Sequence, residues 1–163
     1  MIVGIDPGLR CTGIAAMDAN RLLSWHRITT LHSADLGMRV AWIMDEMSRV
    51  LHEIRSEHGR LGEVVIETPA RQSPDQRRRG QALYGVAVGV CVAHVRWLRY
   101  DLGSDIILTP ADDWTRRRSK PDRAAIVEAA VDGYRRRDDP GLDVADAIGL
   151  CLWWESERLV RRA

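Results

Sequence analysis

The sequence predicts an α/β domain of three layers built on a mixed five-stranded sheet. Two observations carry most of that reading. Apolar runs at 2–6, about 11–18 and about 22–29 follow one another with only Asp6-Pro7-Gly8 and Asp18-Ala19-Asn20 between them, the spacing of strands joined by tight turns. Beyond them the apolar residues change to helical spacing, and helical stretches then alternate with short apolar runs, as when helices cover both faces of a sheet. A third observation is negative. With no internal repeat and no low-complexity linker, the 163 residues read as one domain, 1–163, long enough to bury a substantial core.

The remaining elements follow in order. Val40, Ile43, Met44, Met47, Val50, Leu51 and Ile54 recur at helical spacing, which predicts an amphipathic helix over about 35–58, stopped near Gly59. "EVVIE" at 63–67 is a fourth strand and "DIILT" at 105–109 a fifth. Between them, about 75–99 is helical and rich in small residues, as in "GVAVGVCVAHV". Pro121-Asp122 opens a helix that is expected to run to about 136, and Asp143 opens a last one to about 160.

Composition is that of a soluble globular protein, with 45% hydrophobic and 29% charged residues. No basic start is followed by an apolar h-region and no run of 18 apolar residues occurs, so the expected location is the cytoplasm, with no membrane association. Cys11, Cys91 and Cys151 are few, odd in number and far apart, which fits reduced thiols buried as small apolar residues and excludes a CxxC metal or redox site. The net charge of +1 conceals an uneven spread: residues 71–123 carry a balance of +5, and each flank carries −2. Nearly all of that base is arginine, the side chain that forks onto phosphates, although arginine runs also serve as solvated helix faces.

Four acids stand out by position. Asp6 ends the first strand and Glu67 the fourth, while Asp143 and Asp146 lie three apart in "LDVADAIGL", on one face of the first turn of the last helix. Singly, each has a plain reading: Asp6 capping the Pro-Gly turn, Glu67 a charge at a strand edge, Asp143 an N-cap and Asp146 a favourable charge at a helix start. Jointly, carboxylates from three separated elements that border buried stretches would repel one another without a cation. Oxygen ligands with no neighbouring His or Cys suit Mg²⁺ or Mn²⁺, not zinc, and two such ions can clamp a phosphodiester during in-line hydrolysis.

With those residues in place, "GIDPGLRCTGIA", "VVIETPARQSPDQRRRGQALYGVAVGV" and "LDVADAIGLCLWW" resemble the RuvC Holliday junction resolvases of the RNase H-like nuclease superfamily, in the right order and over most of the chain. The resemblance implies an RNase H-like α/β/α fold. It also implies a homodimeric endonuclease that nicks four-way DNA junctions, with Asp6, Glu67, Asp143 and Asp146 as its metal-binding catalytic acids. The segment from Glu67 to Gly80 is about two residues shorter than in bacterial members. The place of the aromatic wedge that some of them carry falls near Ala70 and Arg71, in a chain with no Phe, as in a divergent member such as a phage protein.

The expected DNA contacts are Arg71, Arg77, Arg78, Arg79, Arg116, Arg117, Arg118, Lys120 and Arg123. Trp114 joins them because it lies between acidic and Arg-rich residues. Core or interface packing is the default for Trp42, Trp97, Trp153 and Trp154. The expected function is therefore structure-selective, Mg²⁺-dependent resolution of four-way junctions. The alternatives are an RNA-processing nuclease of the related branch and a less selective branched-DNA nickase. The Asp6, Gly8, Gly13 pattern also resembles the phosphate turn of sugar kinases and actin-like ATPases, but those folds need a second such domain.

Overall fold

The computed structural model describes residues 1–70, 78–116 and 118–162. Strands β1 (Ile2–Asp6), β2 (Cys11–Asp18), β3 (Arg21–Thr29), β4 (Glu63–Thr68) and β5 (Asp105–Pro110) form one sheet in the order β3-β2-β1-β4-β5. The pairs β1–β2 and β2–β3 are antiparallel, while β1–β4 and β4–β5 are parallel, so the sheet is mixed as expected. The helices are α1 (Leu36–His58), α2 (Arg78–Leu102), α3 (Ala111–Thr115), α4 (Lys120–Ala130) and α5 (Asp143–Arg162).

The central strand β1 is buried along its whole length, which is why it reads as an unbroken apolar run and does not alternate. Successive residues of the inner strands serve opposite layers. Val3, Ile5, Ile14, Ala16, Val64 and Ile66 pack with α1 and α2, whereas Ile2, Ala15, Met17 and Val65 pack with α4 and α5. Gly4 belongs to this arrangement: a Cβ there would overlap the Ala147 carbonyl, so its absence lets α5 lie directly on β1.

The long elements fall where periodicity puts them, with two differences. The helix expected from Pro121 to about 136 stops at Ala130. Val131 turns extended, Gly133 takes φ 88°, and the buried Tyr134 leads into a short 3₁₀ turn at Arg136–Asp138. The second difference is α3, which the periodicity does not reveal. It is a five-residue helix after Pro110, ended by Arg116 in the left-handed region at φ 49°. The three cysteines are free, with Cys91 and Cys151 buried and Cys11 only partly so. Among the described residues, no helix is long and apolar enough to cross a membrane.

Candidate active site

Parallel pairing brings the first two acids together. Ile5 stands opposite Ile66, so Asp6 and Glu67 follow at the same end of adjacent strands. Asp6 is also paired with Gly13 across β2. A Cβ on Gly13 would overlap the main-chain carbonyl of Asp143, and this close approach sets the first turn of α5 over the ends of β1 and β2. Asp6, Glu67, Asp143 and Asp146 thus line one open cleft of about 520 Å³, together with Lys120, Arg123, Tyr84 and Cys11.

The plain readings of the acids give way to other residues. Thr12 closes the turn after β1: its hydroxyl donates to the Gly8 carbonyl at 2.9 Å and accepts from the Gly8 N–H at 3.3 Å. Glu67 ends an interior strand, flanked by β1 and β5. The start of α5 is capped by Asp139, whose carboxylate accepts from the Ala145 N–H at 2.9 Å and from the Tyr134 hydroxyl at 3.0 Å. Asp143 can therefore face the cleft.

Positive charge stands where the acids meet. The Lys120 ammonium lies 2.6 Å from Asp143 Oδ1, 3.4 Å from Asp146 Oδ2 and 3.6 Å from Asp6 Oδ2. Arg123 grips Asp146 with two bonds of 2.8 Å, Nε to Oδ1 and Nη2 to Oδ2, the fork geometry that suits a carboxylate. Arg27 Nε stands 4.0 Å from Asp143 Oδ2 and donates to Cys11 Sγ at 2.9 Å. Among the described residues, no three His, Cys, Asp or Glu side chains close into a ready cage for an ion; the acids are instead drawn around an ammonium.

The electrostatics express the same demand for positive charge. Burial pushes the Asp6 carboxyl well above the usual range; Glu67, Asp146 and Asp143 push it the same way, against Lys120. Burial also raises Glu67, opposed first by the hydrogen bond from Tyr84 and then, after Asp146 has pushed upward, by that from Trp114. For Lys120 burial works against the charge, and the surrounding carboxylates outweigh it, so the ammonium is held more firmly than in water. Burial and Asp143 raise the Cys11 thiol to about 11, which makes it a poor nucleophile.

Two expected DNA contacts, Lys120 and Arg123, therefore stand inside the acid cluster. Trp114 is 7% exposed, and its indole N–H donates to Glu67 Oε2 at 2.9 Å, so the structure turns it toward the site and away from solvent. Arg116 and Arg118 border a neighbouring groove that Trp114, Arg123 and Trp153 also line. Arg78 and Arg79 open α2, with side chains outside those described; Arg71, Arg77 and Arg117 lie outside the described residues. Among the residues that sequence reading misses is Tyr84, whose hydroxyl donates to Glu67 Oε1 at 2.7 Å. It heads a helical stripe that continues through the buried Ala87, Cys91 and Val95. A tyrosine on such a stripe needs a partner for its hydroxyl, and that is the signal that could have found it.

No family model matches the chain. Curated relatives do match. It is 29% identical over 160 residues to the crossover junction endodeoxyribonuclease RuvC of Burkholderia cenocepacia, covering 93% of this chain and 81% of the relative. It is 26% identical over 151 residues to the RuvC of Polynucleobacter necessarius, covering 92% and 84%. Both matches run through nearly the whole of this chain. Its fold matches Thermus thermophilus RuvC, solved in complex with a Holliday junction substrate, at a TM-score of 0.66 with 20% identity over 91% of this chain and 88% of that one. The yeast mitochondrial Holliday junction resolvase superposes at 0.55 with 11% identity, over 94% and 76%. The three-layer α/β fold on a mixed five-stranded sheet that the sequence predicts is thus a fold shared with these solved structures.

Proposed function

We propose that this RuvC-like protein is a structure-selective endodeoxyribonuclease that resolves four-way junctions by paired, metal-dependent phosphodiester hydrolysis. One observation carries the proposal: four carboxylates from three separate elements share a cleft in which the groups between them are cationic. Asp6, Glu67, Asp143 and Asp146 would hold divalent ions. The donor set fits hard cations, because every carboxylate ligand is oxygen and burial already penalises the carboxylates when they stand alone. Bound there, two Mg²⁺ ions, with Mn²⁺ as a substitute, would supply the activated water and the charge that stabilises the leaving oxygen.

The protein's own residues supply the rest. Lys120 and Arg123 reach the cleft from α4 as cations that meet a phosphate when the acids release them, while Arg116 and Arg118 extend positive charge along the adjacent groove. A four-way junction has two equivalent strands to cut, so the working unit is a two-fold dimer with one cleft per protomer. The outer face of α1 and α2 suits that contact. Trp97, Met44 and Val86 are exposed there, lining a groove of about 390 Å³ with Gly89, Val90 and Ala93.

The test is direct. The protein is incubated with Mg²⁺ and labelled four-way, three-way, nicked and linear duplex DNA, and with structured RNA. Preferred cutting of the four-way junction supports the proposal. Preferred cutting of RNA replaces it with the RNA-processing reading, and equal cutting of all branched DNAs replaces it with a nickase.

A further inference from the structure

Glu67 differs from its neighbours in what holds it. Asp143 and Asp146 are held by the cations Lys120 and Arg123, whereas Glu67 is held on both oxygens by neutral donors on rigid rings. Tyr84 donates to Oε1 at 2.7 Å from α2, and Trp114 donates to Oε2 at 2.9 Å from α3. Each bond takes one acceptor position on its oxygen and leaves another open. A neutral donor also orients a carboxylate without cancelling its charge, which a lysine or arginine in the same place would do.

The rings are themselves fixed. Gly149 of α5 makes room for Trp114, since a Cβ there would stand 2.8 Å from the indole. The Arg123 guanidinium lies over the same ring, 5.1 Å from its centroid, while its nitrogens grip Asp146. The indole therefore touches the supports of two acids at once, Glu67 through its N–H and Asp146 through Arg123. Tyr84 is half-buried and lines the cleft from the other side.

We propose that Tyr84 and Trp114 are positioning residues that hold the Glu67 carboxylate, with its charge intact, in the orientation that receives a divalent cation. They thereby set the affinity of the site for that cation. The inference rests on the metal-dependent nuclease reading. Donors to ligating carboxylates act in this way in metal sites generally, and their loss costs about 10–100-fold in metal affinity or activity.

The experiment compares the full-length wild type with Tyr84→Phe and Trp114→Phe. Mn²⁺ affinity is measured without DNA by electron paramagnetic resonance, melting temperature in EDTA, and cleavage across a Mn²⁺ titration. Tyr84→Phe is expected to weaken Mn²⁺ binding roughly tenfold. Its melting temperature should stay within about 4 °C of wild type. Cleavage should fall at limiting Mn²⁺ and recover largely at saturating Mn²⁺, raising the metal concentration needed more than it lowers the maximal rate. Trp114→Phe should do the same for the other oxygen, and either variant that folds decides the matter. Wild-type Mn²⁺ affinity in a folded variant would overturn the positioning role even while the wild type cuts junctions. A wild type that neither binds Mn²⁺ nor cuts any substrate would overturn the nuclease reading and this inference with it.

Discussion

Gly13 and Asp143 meet through the main chain: the α-carbon of the strand residue lies so close to the helix carbonyl that no side chain fits between them. Asp6 is the cross-strand partner of Gly13, so this one contact decides how near the α5 acids come to the β1 acid. The glycine in "CTGIA" is thus a requirement of the site's geometry.

Gly13→Ala is accordingly expected to push the first turn of α5 off the sheet. Overpacking against a main chain that cannot yield should cost about 2–3 kcal/mol. For a chain of this length that is a fall in melting temperature of roughly 5–10 °C. Junction cleavage should fall more steeply than junction binding, because the acids separate while the arginines stay. A variant that melts and cuts like wild type would show that α5 is not held by this approach.

Asp6→Asn tests the cluster itself. The change keeps shape and removes a buried charge that its neighbours repel. Cleavage in Mg²⁺ should fall to background, and the junction Kd should move by less than about threefold, under 1 kcal/mol. In the wild type, millimolar Mg²⁺ or Mn²⁺ should raise the melting temperature by ligand linkage, and Asp6→Asn should abolish most of that rise. Full cleavage by the variant would remove Asp6 from the catalytic set.

The strands are legible as short apolar runs bounded by turn residues, and the long helices because burial leaves a period of 3.6, as in Val40 to Ile54. The four acids are legible for a related reason, since Asp6 and Glu67 are charges where an apolar run would ordinarily end in a neutral turn residue. Less legible are features that depend on residues distant in sequence. Trp114 sits among Asp112, Asp113 and Arg116, a neighbourhood that reads as surface, yet tertiary packing buries the ring under Arg123 and against Gly149. Asp139 carries the cap that Asp143 is equally suited to, and nothing local distinguishes the two. The end of α4 is hidden because the helical pattern runs on past Gly133, where the chain in fact takes positive φ.

The arginines separate into two kinds. Arg116 and Arg118 lie beside the groove next to the cleft, so replacing both with Ala should weaken junction binding. The slope of log K against log salt should flatten by roughly 0.9 for each phosphate no longer neutralised, with little effect on cleavage at saturating protein. Arg123→Ala removes the grip on Asp146 and should depress cleavage even when DNA is saturating. Identical salt slopes for the double variant and wild type would return Arg116 and Arg118 to the role of a solvated surface.

Acid should destabilise the fold through His94. It is buried between α1 and α2, with Ser48 Oγ 2.7 Å from Nε2 and no partner on Nδ1 among the described residues. Burial lowers its pKa below 6.5, opposed by Asp45 and assisted by His52. The native state therefore takes up this proton less readily than the unfolded chain. The stability it contributes is present in full above about pH 6.5 and is lost as pH falls through the native value. Burial lowers His26 as well, in the same direction. Melting temperature should drop between pH 7.5 and 5, and His94→Gln should flatten that drop without abolishing it. An unchanged profile in the variant would place the acid sensitivity elsewhere.

The paired cut predicts a dimer, and the structure narrows where it forms. Of the small residues of α2, Ala87 is spent on the protein's own core, whereas Gly85 and Gly89 have open space where a Cβ would stand. Trp97, 72% exposed, lines the groove between α1 and α2 together with Met44, Val86 and Gly89. Large exposed apolar side chains beside small residues suit close approach of a second copy, related by a two-fold axis that would set two clefts across one junction. Sedimentation at micromolar concentration should give about twice the 18.4 kDa chain mass, and Trp97→Glu should give the monomer with its melting curve largely preserved. A supercoiled plasmid extruding a cruciform should pass directly to linear product with the wild type, because both nicks fall within one complex lifetime, and should stop at nicked circles with Trp97→Glu. A wild type that sediments as a monomer and yields nicked circles would reduce the activity to single-strand nicking, one cleft at a time.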